Sequence, residues 1–187
     1  MPRHYVTATV TSAWTIHDSW TETYVGVRHI IYDLLPSPGV RMSAETRTLC
    51  QLALLGANHL MEIALYKLLK PYTKSSGAIA PLTAALLIEA TYHQMLTRWV
   101  QAASGKALDL SCDPFLSTER LRRRRNDTIH KSSASANVPM ARSALMSAVD
   151  GTQSLFRHFG QACPYDEFIC RWPIHPAEPF SSVSFIR

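Results

Sequence analysis

Apolar residues recur at helical spacing through the middle of the chain. From Ala44 to Leu69 nearly every residue favours a helix, with Ser43 placed to cap its start and Pro71 expected to stop it. Leu49, Leu52, Leu55, Leu60, Ile63 and Leu65 fall on more than one face of that helix, which predicts a place inside a bundle. A second long apolar helix is predicted from Pro81, which suits a first turn, to about Gly105 through Leu82, Leu86, Met95, Leu96 and Trp99. The cleanest amphipathic pattern follows Asn137, an expected N-cap with Pro139 in the first turn. There Ala141, Ala144, Leu145, Ala148, Leu155 and Phe156 recur at three and four opposite Arg142, Asp150, Gln153 and Arg157, until Gly160.

The flanking patterns are weaker. Val6 to Val10 alternates as a strand does, and Asp18 to Leu35 fits either a helix or an extended segment. Pro36-Ser37-Pro38-Gly39 breaks the chain. After a loop containing Pro114, Ser117 or Thr118 is placed to cap a short basic helix from Glu119 to about Asn126. Lys131 to Asn137 fits no element, and Pro164, Pro173, Pro176 and Pro179 predict an irregular tail. The expected fold is a single all-α domain: a compact bundle of four core helices over about residues 43–160, an N-terminal extension (1–42) and a packed, proline-rich tail (161–187).

Composition agrees with one sizeable core, since 47% of residues are apolar and 18% charged. The net charge of +5 matters less than its distribution: Arg120, Arg122, Arg123, Arg124, Arg125 and Lys131 lie close together, and such a patch attracts a polyanion. Cys50, Cys112, Cys163 and Cys170 lack zinc-finger or CxxC spacing, so reduced and mostly buried thiols are expected. The N-terminus does not follow a signal-peptide layout, and the longest apolar run, Ala78 to Ile88, is too short to span a bilayer. A cytoplasmic location is therefore expected.

The chemistry concentrates in Arg122-Arg123-Arg124-Arg125-Asn126-Asp127-Thr128-Ile129-His130. Arginine is a permanent cation that donates paired hydrogen bonds to phosphate oxygens, and histidine exchanges protons near neutrality. Together they suit RNA cleavage by the adjacent 2′-hydroxyl, which needs a proton carrier and a cation at phosphorus. This segment resembles the HEPN family, marked by an arginine, commonly a following polar residue, and a histidine after four to six intervening positions. Arg125, Asn126 and His130 match that pattern, with Arg124 and Arg123 as permitted alternatives to Arg125, and Leu55 to Lys70, with Glu62 inside an apolar helix, resembles the family's early helix. The resemblance covers about residues 43–160. It implies a metal-independent endoribonuclease working in a toxin or phage-defence setting, with Arg125, His130, Asn126 and Glu62 at the catalytic centre. Arg120, Arg122, Arg123, Arg124 and Lys131 would bind RNA. It also implies a homodimer that joins two such pairs in one cleft, and in some members an antitoxin that modifies a tyrosine two positions after the histidine. That position is Ser132 here, which puts that control in doubt. A HEPN-like module that binds RNA or protein without cutting is the alternative.

Glu62 and Glu89 each sit midway along an apolar helix, and a buried carboxylate needs a partner. Glu62 is expected either to pair locally with Asn58 and His59 or, as the resemblance implies, to reach across the bundle and hold Arg125. His59, Glu62, Glu89 and His93 also suggest a metal site. Their spacings are His-x-x-Glu and Glu-x-x-x-His where a bundle di-metal site uses Glu-x-x-His, so no metal or other cofactor is expected.

Overall fold

The computed structural model describes residues 19–37, 39–75, 77–130 and 136–183. The strand expected at Val6 to Val10, and Lys131 to Ser135, lie outside the described residues. Helix α1 (Ser19–His29) resolves the ambiguous stretch before Pro36. It buries Trp20, Tyr24 and Val27 at helical spacing, and a π-helical turn over Ile30–Leu34 brings Ile31 to the same side. Leu35 is extended and Gly39 has φ +94, so the chain reverses where the prolines and glycine predicted.

Helix α2 (Ala44–Lys74) is the hub, and its start is as expected: Ser43 Oγ accepts from Thr46 N at 3.0 Å. Its end is not. The helix passes through Pro71 to Lys74, because Pro71 falls near its end and forfeits a single backbone bond there. By length and composition α2 alone is apolar enough to cross a membrane among the described residues, and more than half of that stretch is buried against α1 and the helices that follow it in the chain.

The second long helix is interrupted. Helix α3 (Ala80–Glu89) stops at Ala90, and Thr91 starts the chain afresh: its side chain accepts from Gln94 N at 3.2 Å while Gln94 Oε1 accepts from Thr91 N at 2.8 Å. This capping box opens the short helix α4 (Tyr92–Gln94), followed by a π-helical turn over Met95–Trp99 and helix α5 (Val100–Ser104). Gly105, at φ +74, ends it. Although apolar on most sides, α3 leaves Leu82, Leu86 and Ile88 exposed.

Helix α6 (Phe115–His130) and helix α7 (Val138–His158) pack on α2 and on each other. Asn137 Oδ1 accepts from Met140 N at 2.9 Å, as its place before Pro139 predicts. Two glycines allow close approach. A Cβ on Gly56 would lie 2.3 Å from Val27 Cγ2, and one on Gly151 would lie 2.6 Å from Thr118 Cγ2 and 2.8 Å from Met61 Sδ. The tail adds helix α8 (Asp166–Arg171) and buries Tyr165 and Phe180. Trp20 stacks on Tyr165 at 4.0 Å between ring centres, and Tyr24 donates its hydroxyl to the Trp172 carbonyl, so α1 and the tail close on one another.

The all-α class holds for the described residues, none of which lies in a strand. Of the cysteines, Cys50 and Cys163 are buried and their thiols pushed up to about 11 by burial, whereas Cys112 and Cys170 are exposed, contrary to expectation.

Candidate nucleic-acid interface on α6

The basic helix is twice as long as expected, because Asp113 starts it in place of Ser117 or Thr118. Asp113 Oδ1 accepts from Ser117 N at 3.1 Å and from Ser117 Oγ at 2.5 Å, which places both hydroxyl residues inside the helix. Its other oxygen accepts from Ser181 Oγ at 2.7 Å, and Arg120 donates to the Ser181 carbonyl, so the tail is tied to the start of α6.

The first part of α6 is anchored by Phe115, Ser117, Thr118, Glu119 and Leu121, all buried. Past Leu121 every residue through His130 is half-buried or exposed. This second part carries the arginines and the histidine singled out by the sequence, held out from the core on a helix. Glu119, 7% exposed, gathers two of the arginines: Arg122 donates to both carboxylate oxygens at 3.0 and 2.7 Å, and Arg123 donates to one at 3.3 Å. Burial alone would raise the Glu119 carboxyl, but the bonds and charge of Arg122 and Arg123 outweigh it and hold it below its ordinary range.

Glu119 therefore stabilises the fold fully above the ordinary carboxylate range and loses that contribution as pH falls through its lowered folded value. Glu119→Gln is expected to lower unfolding free energy by about 1–3 kcal/mol at neutral pH. The gap to the parent protein should narrow progressively as pH falls below the ordinary carboxylate range, measured by urea melts. A gap that stays constant with pH would show that the carboxylate charge is not what holds the two arginines.

Arg120, Arg123, Arg124 and Asp127 share one face of α6 and line a depression of about 230 Å³. Three guanidinium groups against one carboxylate leave that face cationic. Arg125 is half-buried and donates from Nη1 to Asn126 Oδ1 at 3.1 Å, while His130 is exposed on the last residue of the helix. Five residues apart, Arg125 and His130 are rotated by about 140° around the helix axis, so one chain does not present them side by side.

Glu62 keeps to its own helix. It accepts from Asn58 Nδ2 at 2.8 Å and lies 3.2 Å from His59 Nδ1, the local pairing weighed above, and its side chain is 32% exposed. The reach across the bundle to Arg125 is not made, because a carboxylate with partners within one turn needs no distant cation. Glu89 and His93 are exposed, and among the described residues no three histidine, cysteine or carboxylate side chains converge. Lys131 lies outside the described residues.

Sequence reasoning missed Glu119, Asp113 and Tyr92. Tyr92 is buried under the Thr91 turn, and burial raises its hydroxyl; Thr118 opposes this, Glu119 and Glu62 add to it, and Arg122 opposes. Its hydroxyl thus feels the charges of Glu62 on α2 and of the Glu119–Arg122 pair on α6. The Thr91-x-x-Gln94 spacing was the signal that could have found it. Comparisons with known protein families, with curated proteins and with solved structures give no match.

Proposed function

We propose that this chain is an endoribonuclease of the kind its resemblance to the HEPN family implies, with α6 as its RNA-contacting element. The observation that carries this is the cationic Arg120–Arg123–Arg124 face of a rigid helix that ends in exposed His130. The guanidinium face attracts and seats phosphates. Imidazole accepts the 2′-hydroxyl proton as that oxygen bonds to phosphorus. The bond to the 5′-oxygen then breaks, leaving a 2′,3′-cyclic phosphate and, after a proton is delivered, a 5′-hydroxyl. Arg125 stabilises the added negative charge. One histidine serves one of the two proton transfers, so a homodimer supplying a second is part of the proposal, as are an intracellular defence or toxin role and control by a partner protein.

Binding without cleavage is the second reading, favoured by the rotation of Arg125 away from His130 and its engagement with Asn126. Incubation of the purified chain with total RNA in excess EDTA separates the two. Fragments with 5′-hydroxyl and cyclic or opened phosphate ends are expected. Intact RNA that nevertheless shifts in a gel would establish the binding module, and 5′-phosphate ends would show that water attacks instead of the ribose.

A further inference from the structure

Helix α3 has the sequence of a buried helix and the position of a surface one. From Ala80 to Ile88 it carries no charge, yet within Ala80–Glu89 only Leu87 is buried. A helix that is apolar all round is ordinarily enclosed. Leu82 and Leu86 instead share a face about 100–140° around the axis from Leu87, flanked by Ile79 and Ile88, and all four keep more than half of their surfaces in water. The extended backbone at Ala90 and the capping box at Thr91 separate this helix from Tyr92 and Leu96, which are buried.

Two observations indicate what covers the face. The first is that it offers no hydrogen-bonding side chain before Glu89, since the Thr83 hydroxyl already donates to the Ile79 carbonyl at 3.0 Å. Protein interfaces carry about one hydrogen bond per 100–200 Å² and a polar rim, whereas hydrocarbon asks for none. The second is that cations adjoin the face at two places. Lys70 and Lys74 are exposed one turn apart at the end of α2 that leads into α3, and Lys70 borders the same opening as Ala90. Arg98, also exposed, lines a separate groove of about 310 Å³ together with Leu86, Glu89 and Trp99. Lys70, Lys74 and Arg98 outweigh Glu89, so the surroundings of the apolar face are positive.

An aliphatic face bordered by cations complements an apolar phase bordered by anions. We propose that α3 docks the protein on the surface of an anionic lipid bilayer, with Leu82 and Leu86 at the boundary of headgroups and acyl chains and Lys70, Lys74 and Arg98 against lipid phosphates. Ten residues of helix, about 15 Å, cannot cross the hydrocarbon, so α3 lies in the plane of the headgroups. This docking does not depend on cleavage at α6.

Co-sedimentation of the full chain with vesicles tests this, using phosphatidylcholine alone and phosphatidylcholine mixed with phosphatidylglycerol. Each basic residue at an anionic surface strengthens binding by roughly fivefold, so the mixed vesicles should bind at least about tenfold more tightly. High salt should weaken that binding without removing it, because the apolar contact is not screened. Leu82→Asn combined with Leu86→Asn, which leaves the charge unchanged, should lower it by at least about tenfold, and Lys74→Glu by about fivefold or more. Val40→Asn, at an exposed apolar position before α2, should change it by less than about twofold. Circular dichroism checks that each variant is folded, and if the double variant is not, Lys74→Glu and the salt response still decide. Failure to bind either vesicle, or a folded double variant that binds as the parent does, would overturn the proposal. A larger loss in Arg123→Gln than in Lys74→Glu would assign the anionic contact to α6 and overturn it equally. So would vesicle-indifferent self-association that the double variant abolishes in sedimentation velocity, which would give the face to a second copy of the chain.

Discussion

His130→Ala and Arg125→Ala are each expected to lower RNA cleavage by about 10²–10⁴-fold, the usual worth of a positioned proton carrier or of an oxyanion donor. Arg125 is half-buried and His130 exposed, so their loss should change stability by no more than about 1 kcal/mol. A single variant that loses activity and unfolds together would mark a structural residue. Arg123→Gln provides the contrast, with its side chain 71% exposed and sharing Glu119 with Arg122. It should weaken RNA binding and leave turnover at saturation nearly intact, and the deficit should shrink as salt rises because the lost contact is electrostatic. Equal and complete loss in all three variants would argue against separate roles for the cationic face and the centre at Arg125 and His130.

Trp20→Ala should be the most destabilising of the simple truncations, by about 3–5 kcal/mol. Trp20 is fully buried and lies between two rings, 5.3 Å from Tyr24 and 4.0 Å from Tyr165, both nearly parallel to it. Truncation removes the largest fully buried side chain among the described residues and leaves a void that rigid neighbours cannot close. In thermal melts the loss corresponds to a fall on the order of 10 °C for a chain of this size. Trp20→Phe should recover part of it, because a ring remains to stack. A melting temperature within about 2 °C of the parent for Trp20→Ala would mean that α1 contributes little to the cooperative unit.

The elements most legible in the sequence are those whose information is local. Ser43 and Asn137 cap their helices through bonds to residues three positions on, and the stripe of α7 meets one continuous partner surface. Misreadings arise where a choice depends on distant groups. The Pro81 to Gly105 stretch has an unbroken apolar pattern, so periodicity misses the capping box at Thr91, and it cannot tell that α3 keeps Leu82 and Leu86 exposed. The basic stretch showed where charge accumulates. That Glu119 would be the buried acid gathering Arg122 and Arg123, and that Asp113 would be held from the tail by Ser181, depend on tertiary neighbours a linear pattern does not contain. Glu62 is 32% exposed and not the buried carboxylate its apolar neighbours suggest, and it takes its partners, Asn58 and His59, from its own helix.

The joint between α1 and the tail bears on the order in which the molecule assembles. Tyr24 and Trp172, bonded in the native state, are 148 positions apart, as are Trp20 and Tyr165 nearly so. In an unfolded chain, closing a loop of that length costs roughly 4 kcal/mol before any contact is made. The cost falls once α2, α6 and α7 have packed, because the intervening chain is then short in space. The joint between α1 and the segment around Tyr165 should therefore close after the three central helices have packed, in a step that seals an already formed core. Since unfolding retraces this path, the same joint opens first and governs how readily the rest of the molecule is exposed.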